Sequence, residues 1–265
     1  MFVLGDCASI AGAEVRSFET EEEMLKAWVN FIQEVDPDMI TGYNINNFDI
    51  PYIIDRGNAI KINNFGKLSR LKDKTASVRS VNLSSKQMGT HENKEVNLEG
   101  RVLFDMFQVI LREHKLSSYT LNNVSYEFLK EQKEDVHHTM ISELYRKNIY
   151  TRRRLAVYCI KDAYLPLKLM EKMMCLYNYS EMARVTGVPI KFLFTRGQQI
   201  KVTSQLYRKA YEVDMLIPNE KRNTEGEGKY EGATVIEPDI GYYTDPIATL
   251  DFASLYPSIM MAHNL

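Results

Sequence analysis

The sequence predicts an α/β protein, because amphipathic helical segments alternate along it with short apolar runs typical of buried strands. Three segments carry this prediction. Residues 19–35 have helical periodicity, residues 38–57 have the pattern of a strand, a polar loop and a helix, and residues 101–114 have that of a buried strand leading into a helix.

The segment ETEEEMLKAWVNFIQEV, residues 19–35, predicts an amphipathic helix. Thr20 is a suitable N-cap, and acidic residues occupy the first turn, where they favour the helix dipole. The apolar residues recur at helical spacing: Met24, Leu25, Trp28, Phe31, Ile32 and Val35.

The next segment, DPDMITGYNINNFDIPYIIDRG, predicts a strand at 39–41, a break at Gly42, an asparagine-rich loop and a helix that ends near Gly57. Residues 61–99 are polar and predict a hairpin or an exposed loop. Residues 101–114, RVLFDMFQVILREH, return to strand and helix character.

The second half of the chain predicts more helix. Residues 152–174 have helical periodicity, and Pro166 is expected to kink that helix because proline lacks a backbone donor. A mostly helical segment is predicted from Cys175 to about Tyr211, with an internal boundary between 174 and 182. After a charged, glycine-rich stretch, apolar runs at 233–236 and 247–250 predict strands.

Composition narrows the class of protein. With 45% hydrophobic and 26% charged residues among 265, the chain is globular, and its net charge of -2 gives no overall basic signature, although a local basic groove stays possible. Its three cysteines form no C-x-x-C pair, which favours an intracellular protein without a disulfide framework or zinc site. Nothing predicts a membrane span or an export signal. The apolar ending predicts that the chain has been cut.

Three carboxylates lie in settings that suit chemistry. In YNINNFD, Asn44, Phe48 and Asp49 follow a strand and a glycine at the start of a helix; a helix-capping asparagine beside a solvated acid is the alternative. In YCIKD, Tyr158 and Asp162 share one helix face, as an ordinary exposed pair also could. In LDFASLYPS, Asp251 follows an apolar run and precedes a turn, which is the most specific pattern of the three.

These residue types suit phosphodiester chemistry, in which carboxylates hold two divalent metals that activate water and stabilise the displaced oxygen. Asp49 and Asp162 come from different elements and are expected to converge on one metal pair, with the Tyr158 hydroxyl orienting the attacking water. Asp251 belongs to a second place, where backbone amides of the following turn meet a triphosphate.

NINNFD, YCIKD and DFASLYPSI, in this order, resemble the exonuclease and polymerase motifs of the family B replicative DNA polymerases, and the resemblance covers essentially all 265 residues. It implies an incomplete ribonuclease H-like 3'-to-5' exonuclease domain at 1–175, a helical connector at 176–229 and the first strands of a polymerase palm at 230–265.

The resemblance also implies roles for single residues. Asp49, Asp162 and Asp251 are expected to bind Mg²⁺, two ions per active site, and Tyr158 to orient water. Nucleotide binding is expected from Phe252, Ala253, Ser254, Leu255 and Tyr256, although Ala253 replaces a serine often found there. DNA binding is expected from Asn44, Phe48, Arg196, Tyr230 and Gly232. A glycine-bearing turn at 230–235 and a solvated basic face around Arg196 are the alternatives. Residues 84–100 resemble a hairpin that separates primer from template, or form an idle loop.

Primer–template DNA, deoxynucleoside triphosphates, accessory polymerase subunits, a sliding clamp and a nuclear location are the implied context. The family's first exonuclease motif, Asp-x-Glu, has no counterpart in residues 1–40, and its second polymerase aspartate motif, fingers, thumb and cysteine-rich tail with an iron-sulfur cluster or zinc would follow Leu265. The isolated chain is therefore expected to be inactive. The alternative is a nuclease-fold module that binds DNA without turnover.

Overall fold

The structure is a computed structural model that describes residues 1–63, 65–85, 89–132, 136–218 and 232–264, with side chains left out at 81–85 and 89–93. The chain divides into two compact units, Met1–Ile217 and Pro218–Leu265.

The first unit mixes helices with three small two-stranded sheets, in agreement with the predicted α/β class. In chain order the elements are β1 (Phe2–Leu4), β2 (Arg16–Phe18), α1 (Glu21–Val35), β3 (Met39–Gly42), α2 (Asp49–Ala59), β4 (Ser77–Ser85), β5 (Gly89–Asn97), β6 (Val102–Asp105), α3 (Met106–Glu113), α4 (Leu121–Leu129), α5 (His138–Lys147), α6 (Ile149–Lys172), α7 (Cys175–Thr186), α8 (Ile190–Thr195) and α9 (Gln199–Glu212). Parallel pairs join β1 to β2 and β3 to β6, and an antiparallel pair joins β4 to β5.

Helix α1 begins as the sequence predicts. The Thr20 side chain accepts a hydrogen bond from the Glu23 amide, and the Glu23 carboxylate accepts one from the Thr20 amide, which completes a capping box. Leu25, Val29 and Ile32 are buried on one face of the helix. They belong to a hydrophobic core shared with α2 and with the segment after it.

The pairing of β3 with β6 determines where the polar loop of the first motif lies. Gly42, the last residue of β3, is the partner of Asp105, the last residue of β6. Because the two strands are parallel, both carboxyl ends lie at the same edge of this sheet. The loop after β3 and the first turn of α3 therefore begin side by side.

The segment after α6 packs onto the core of β6 and α3. Phe104, Met106 and Val109 share a buried cluster with Tyr179 and Leu193, which lie on α7 and α8. The compact unit accordingly continues to Ile217, well past the boundary predicted between 174 and 182. The division into an exonuclease domain, a connector and a palm stays a prediction.

Helix α6 runs through Pro166 as one helix of 24 residues. The helices α7, α8 and α9 confirm the predicted helical segment after Cys175. Within the part of the chain that the structure describes, no helix combines the length and apolar character needed to cross a membrane.

The second unit differs from the prediction. Its described residues, 232–264, contain the helix α10 (Leu255–His263), and residues 232–250 form no strand. The predicted strands at 233–236 and 247–250 are therefore wrong here. A strand needs a neighbour to satisfy its backbone groups, and within the described residues these segments have none; Ile236 and Leu250 are almost fully exposed.

Candidate functional site

The loop between β3 and α2, residues 43–48, carries the first predicted motif. The Tyr43 hydroxyl donates to the backbone oxygen of Tyr119 at 2.5 Å, which ties the start of the loop to the segment before α4. Asn44 has φ +61°, a left-handed conformation that asparagine tolerates better than most residues. Its side-chain oxygen accepts a hydrogen bond from the Asn47 amide group at 3.2 Å. The loop is thus fixed by local and distant contacts.

Asp105, the last residue of β6, binds the backbone of this loop. The sequence alone did not predict a role for it. Only 2% of the residue is exposed. Its carboxylate accepts hydrogen bonds from the backbone N–H groups of Asn44 at 2.7 Å, Asn46 at 3.1 Å and Phe107 at 3.0 Å. The bond from Phe107 caps α3, so one side chain begins a helix and shapes the loop. The sequence signal that could have predicted this role is an aspartate at the end of the apolar run VLFD, directly before a helix.

Two acidic residues near the loop have perturbed ionisation. Burial raises the pKa of Asp105, the three backbone hydrogen bonds oppose that rise, and the negative charge of Asp49 adds to it. Burial of its carboxyl also raises the pKa of Asp49, although much of the residue remains accessible. The two carboxylates therefore repel each other, and a cation beside Asp49 would relieve that repulsion.

Asp49 is the first residue of α2, and Phe48 occupies the N-cap position. Asn44 is thus not the helix cap that the alternative interpretation required. Phe48 is 64% exposed, and its ring stacks on that of Tyr52 with centroids 6.0 Å apart and planes 10° apart. An exposed, pre-stacked aromatic pair next to Asp49 is suited to contact with a nucleobase.

Tyr158 and Asp162 lie one turn apart on α6, as predicted, and α6 packs against β3, α3 and α4. Lys161, beside Asp162, donates to Glu131 at 2.5 Å, and Lys168 donates to the same carboxylate at 2.6 Å. Their hydrogen bonds lower the pKa of Glu131 to about 2. Glu131 thereby fixes the charged side chain of the motif's lysine.

The fit of a metal to these residues is partial. Mg²⁺ is often bound by one or two carboxylates together with substrate phosphates and water, so Asp49 and Asp162 have suitable chemistry. Within the described ranges, no group of three or more His, Cys, Asp or Glu side chains could hold a metal ion. The convergence of Asp49 and Asp162 with Tyr158 stays a prediction.

In the second unit, the segment around Asp251 is organised by α10. Ser254 has φ +49° at the N-cap, and the predicted turn is in fact the first turn of this helix. Pro257 is its third residue, where the missing N–H has no intrahelical partner to lose. The Ser258 hydroxyl donates to the Ala253 oxygen at 3.0 Å. Phe252 and Tyr256 are 76% and 79% exposed, and Asp251, Ala253 and Leu255 are exposed as well.

The remaining predicted DNA contacts, Arg196, Tyr230 and Gly232, come from separate stretches of the sequence. Arg196 follows α8, is exposed, and its guanidinium carbon lies 5.6 Å from the centroid of the Phe192 ring. The hairpin predicted within 61–99 is confirmed by β4 and β5, but residues 86–88 between them lie outside the described residues. Tyr230 lies outside the described residues as well, and Gly232 is described and exposed.

Comparison with known protein families identifies the class of protein to which the chain belongs. The family model for the exonuclease domain of DNA polymerase family B matches residues 1–124, and the model for DNA polymerase family B matches residues 188–265. The two matches include the loop with Asp49 and the segment with Asp251. The chain belongs to DNA polymerase family B.

Within this family, the chain is similar to one kind of polymerase subunit. The chain is 58% identical over all 265 residues to the DNA polymerase delta catalytic subunit of Drosophila melanogaster and to that of Glycine max, and 57% identical to that of Candida albicans. It covers 24% of the first two proteins and 25% of the third. The chain thus spans about a quarter of the length of the curated relatives that it matches.

Proposed function

We propose that this chain is part of a replicative DNA polymerase that proofreads with a 3'-to-5' exonuclease. The observation that carries the proposal is the loop of residues 43–48, which Asp105 holds so that Asp49 begins α2 at the edge of the β3–β6 pair. The 58% identity to DNA polymerase delta catalytic subunits supports it.

In the exonuclease, Asp49 and Asp162 would hold Mg²⁺, which when bound would supply activation of a water molecule and stabilisation of the displaced oxygen. The Tyr158 hydroxyl orients that water, and the Phe48 ring stacks against a base near the end of the strand. Asn44 contributes the loop conformation that sets the direction in which Asp49 faces.

In the polymerase, residues 230–265 begin the palm, and Asp251 is one of its metal-binding acids. Backbone groups of residues 252–255 meet the triphosphate, and Tyr256 lies beneath the sugar of the incoming nucleotide. Tyr230, Gly232 and Arg196 contact the DNA backbone. The protein of which this chain is part acts in the nucleus with primer–template DNA, deoxynucleoside triphosphates, accessory subunits and a sliding clamp.

The purified 265-residue chain is expected to show no primer extension in Mg²⁺, because a two-metal displacement needs more metal-binding acids than Asp251 alone. A chain extended to the length of its relatives should both extend a primer and excise a mispaired 3' end. Template-dependent incorporation by the short chain, above a mock preparation, contradicts this account. Absence of both activities in the long chain overturns the proposed function.

Replacing Tyr256 with alanine in the extended chain is expected to raise ribonucleotide insertion relative to deoxyribonucleotide insertion. A rigid ring beneath the sugar excludes an added 2'-hydroxyl sterically, whereas a pocket that merely lacks a partner for a hydroxyl discriminates by only about a hundredfold. Single-nucleotide insertion kinetics with both sugars measure the ratio, with Tyr243→Ala as the control for losing an aromatic in the same unit. Equal losses for both sugars leave Tyr256 only a packing role.

A second function fits the chain by itself, which is binding of DNA without turnover. It is favoured by the finding that the described residues form no metal-binding group of three or more ligands. Binding of DNA by the short chain without hydrolysis distinguishes it from the extended enzyme.

A further inference from the structure

The first unit contains a cavity of about 350 Å³ next to the 43–48 loop, whose residue Asn46 lines it. Its walls come from three places: β5 and the residue after it, the β6–α3 segment, and the end of α8 with the residues that follow. Its volume is at the lower end of the range typical of small-molecule sites. Asp105, which binds the 43–48 loop, also lines the cavity, so the cavity lies next to the candidate exonuclease loop.

The cavity is lined by more cationic than acidic side chains. Two acids, Glu95 and Asp105, line it together with five cations, Lys94, Arg101, Arg112, Lys191 and Arg196. Both acids already have partners: the Asp105 carboxylate accepts hydrogen bonds from backbone N–H groups, and the Glu95 carboxylate lies 3.8 Å from the Lys191 amine. The lining is therefore suited to an anion.

Two of the cations are placed to meet a ligand. Arg101 is engaged with Asp36, and Arg112 donates to the backbone oxygens of Leu193 and Phe194. Within the described ranges, Lys94 and Arg196 form no ion pair, and the Arg196 side chain is exposed. Lys94 and Arg196 can therefore exchange water and counterions for phosphates.

The cavity also offers an apolar wall and a rigid aromatic ring. Val96, Leu98 and Leu103 line it, and Val96 and Leu98 are buried. Phe194 lines it with its ring stacked on Tyr179 at 4.7 Å and in edge contact with Phe104 at 4.9 Å. A ring fixed in this way loses little entropy on contact with a base, and the side chains of Asn46 and Gln108 supply hydrogen-bonding groups nearby.

We propose that this cavity binds one nucleotide of single-stranded DNA, with the base against Phe194 and the apolar wall and the phosphates at Lys94 and Arg196. The choice of DNA as the ligand rests on the proposed function. The Lys94 amide donates to the Asn47 side chain at 2.9 Å, which links the hairpin wall of the cavity to the 43–48 loop. A strand held in the cavity is thus anchored next to the candidate exonuclease site.

The test uses the 265-residue chain and a fluorescein-labelled oligo(dT) of about 8 nucleotides, within the usual site size for single strands. Gly197 lines the cavity, its φ lies outside the left-handed region, and a Cβ built on it meets no atom within 4 Å apart from its chain neighbours, so Gly197→Trp adds a large ring to the cavity lining without a steric clash. Fluorescence anisotropy should show about a tenfold loss of affinity in Gly197→Trp, the size of one lost stacking contact.

Lys94→Ala and Arg196→Ala should each weaken binding and reduce the slope of log affinity against log salt by about 0.7, as expected for one lost phosphate contact. The control is Arg184→Ala, which removes the same charge from an exposed ion pair with Glu181 on α7, away from the cavity. It should bind as the unchanged chain does.

Three results overturn the inference: no binding of the oligonucleotide by the unchanged chain, equal binding by Gly197→Trp and the unchanged chain, or complete competition by inorganic tripolyphosphate at the same phosphate concentration, which indicates an anion site without a base. The cavity and the proposed function fail separately. The cavity variants Gly197→Trp, Lys94→Ala and Arg196→Ala all keep Asp49 and Asp162, so unchanged oligonucleotide binding by Gly197→Trp overturns the cavity alone, whereas absence of both excision and extension in the extended chain overturns the proposed function.

Discussion

Asp162→Ala, made in a chain as long as its relatives, is expected to lower excision of a mispaired 3' end by at least about a hundredfold and to leave primer extension unchanged. Loss of residues that only support a metal ligand costs about 10- to 100-fold, so loss of the ligand itself should cost no less. Extension is proposed to depend on Asp251, which belongs to the other compact unit. Excision and extension measured on one labelled primer separate the two activities.

The matched control is Glu171→Ala, which removes an exposed carboxylate from the same helix more than two turns away. It should keep both activities, and Asp49→Ala should reproduce the effect of Asp162→Ala. If Asp162→Ala excises at the rate of the unchanged enzyme, Asp162 is not part of the exonuclease centre. A parallel loss of extension points instead to damage of the fold.

Asp105→Ala is expected to lower the free energy of unfolding of the first unit by about 3 to 5 kcal/mol. Removing the carboxylate leaves the N–H groups of Asn44, Asn46 and Phe107 without their acceptor; because these three hydrogen bonds are only part-buried, each loss should cost the lower part of the range of about 1–3 kcal/mol that applies to a buried group. Urea unfolding followed by the fluorescence of Trp28 reports this unit, because Trp28 is the sole tryptophan of the chain and packs against its core.

Thr120→Ala is the control for a lost helix cap. Thr120 caps α4 through the Asn123 amide, and among the described residues none of its own hydrogen bonds goes to the 43–48 loop, so its replacement should cost only about 1 kcal/mol. Hydrogen exchange at the amides of Asn44 and Asn46 should accelerate in Asp105→Ala and stay unchanged in Thr120→Ala. Equal costs for the two variants mean that Asp105 is a helix cap and nothing more.

Asp105→Asn is expected to cost less than Asp105→Ala and to reveal a pH dependence. Because burial raises the folded-state pKa of Asp105, the folded protein binds the proton more tightly than the unfolded chain does. Stability then falls as pH rises from the ordinary carboxyl value, near 4, towards the raised one. Relative to Asp105→Asn, the unchanged protein should lose stability over that interval. A gain with rising pH shows that the hydrogen bonds outweigh burial.

The sequence by itself determined the elements whose signals are local. The N-cap at Thr20, the apolar spacing of α1, the run at β3 and the helices after Cys175 depend on neighbours within a few residues, and all of them are confirmed. Local patterns also predicted the helices that carry Asp49, Tyr158 and Asp162, and these helices are where the sequence placed them, whereas the roles of the three residues stay a prediction.

Only the tertiary structure decided what depends on partners distant in the chain. Asp105 gains its role because β6 pairs with β3, which brings its carboxylate to the amides of Asn44 and Asn46 about 60 residues earlier. The cavity lined by Phe194 and Arg196 likewise combines three separate segments. The strands predicted at 233–236 and 247–250 fail for the same reason: an apolar run favours a strand, but a neighbouring strand must supply its hydrogen bonds.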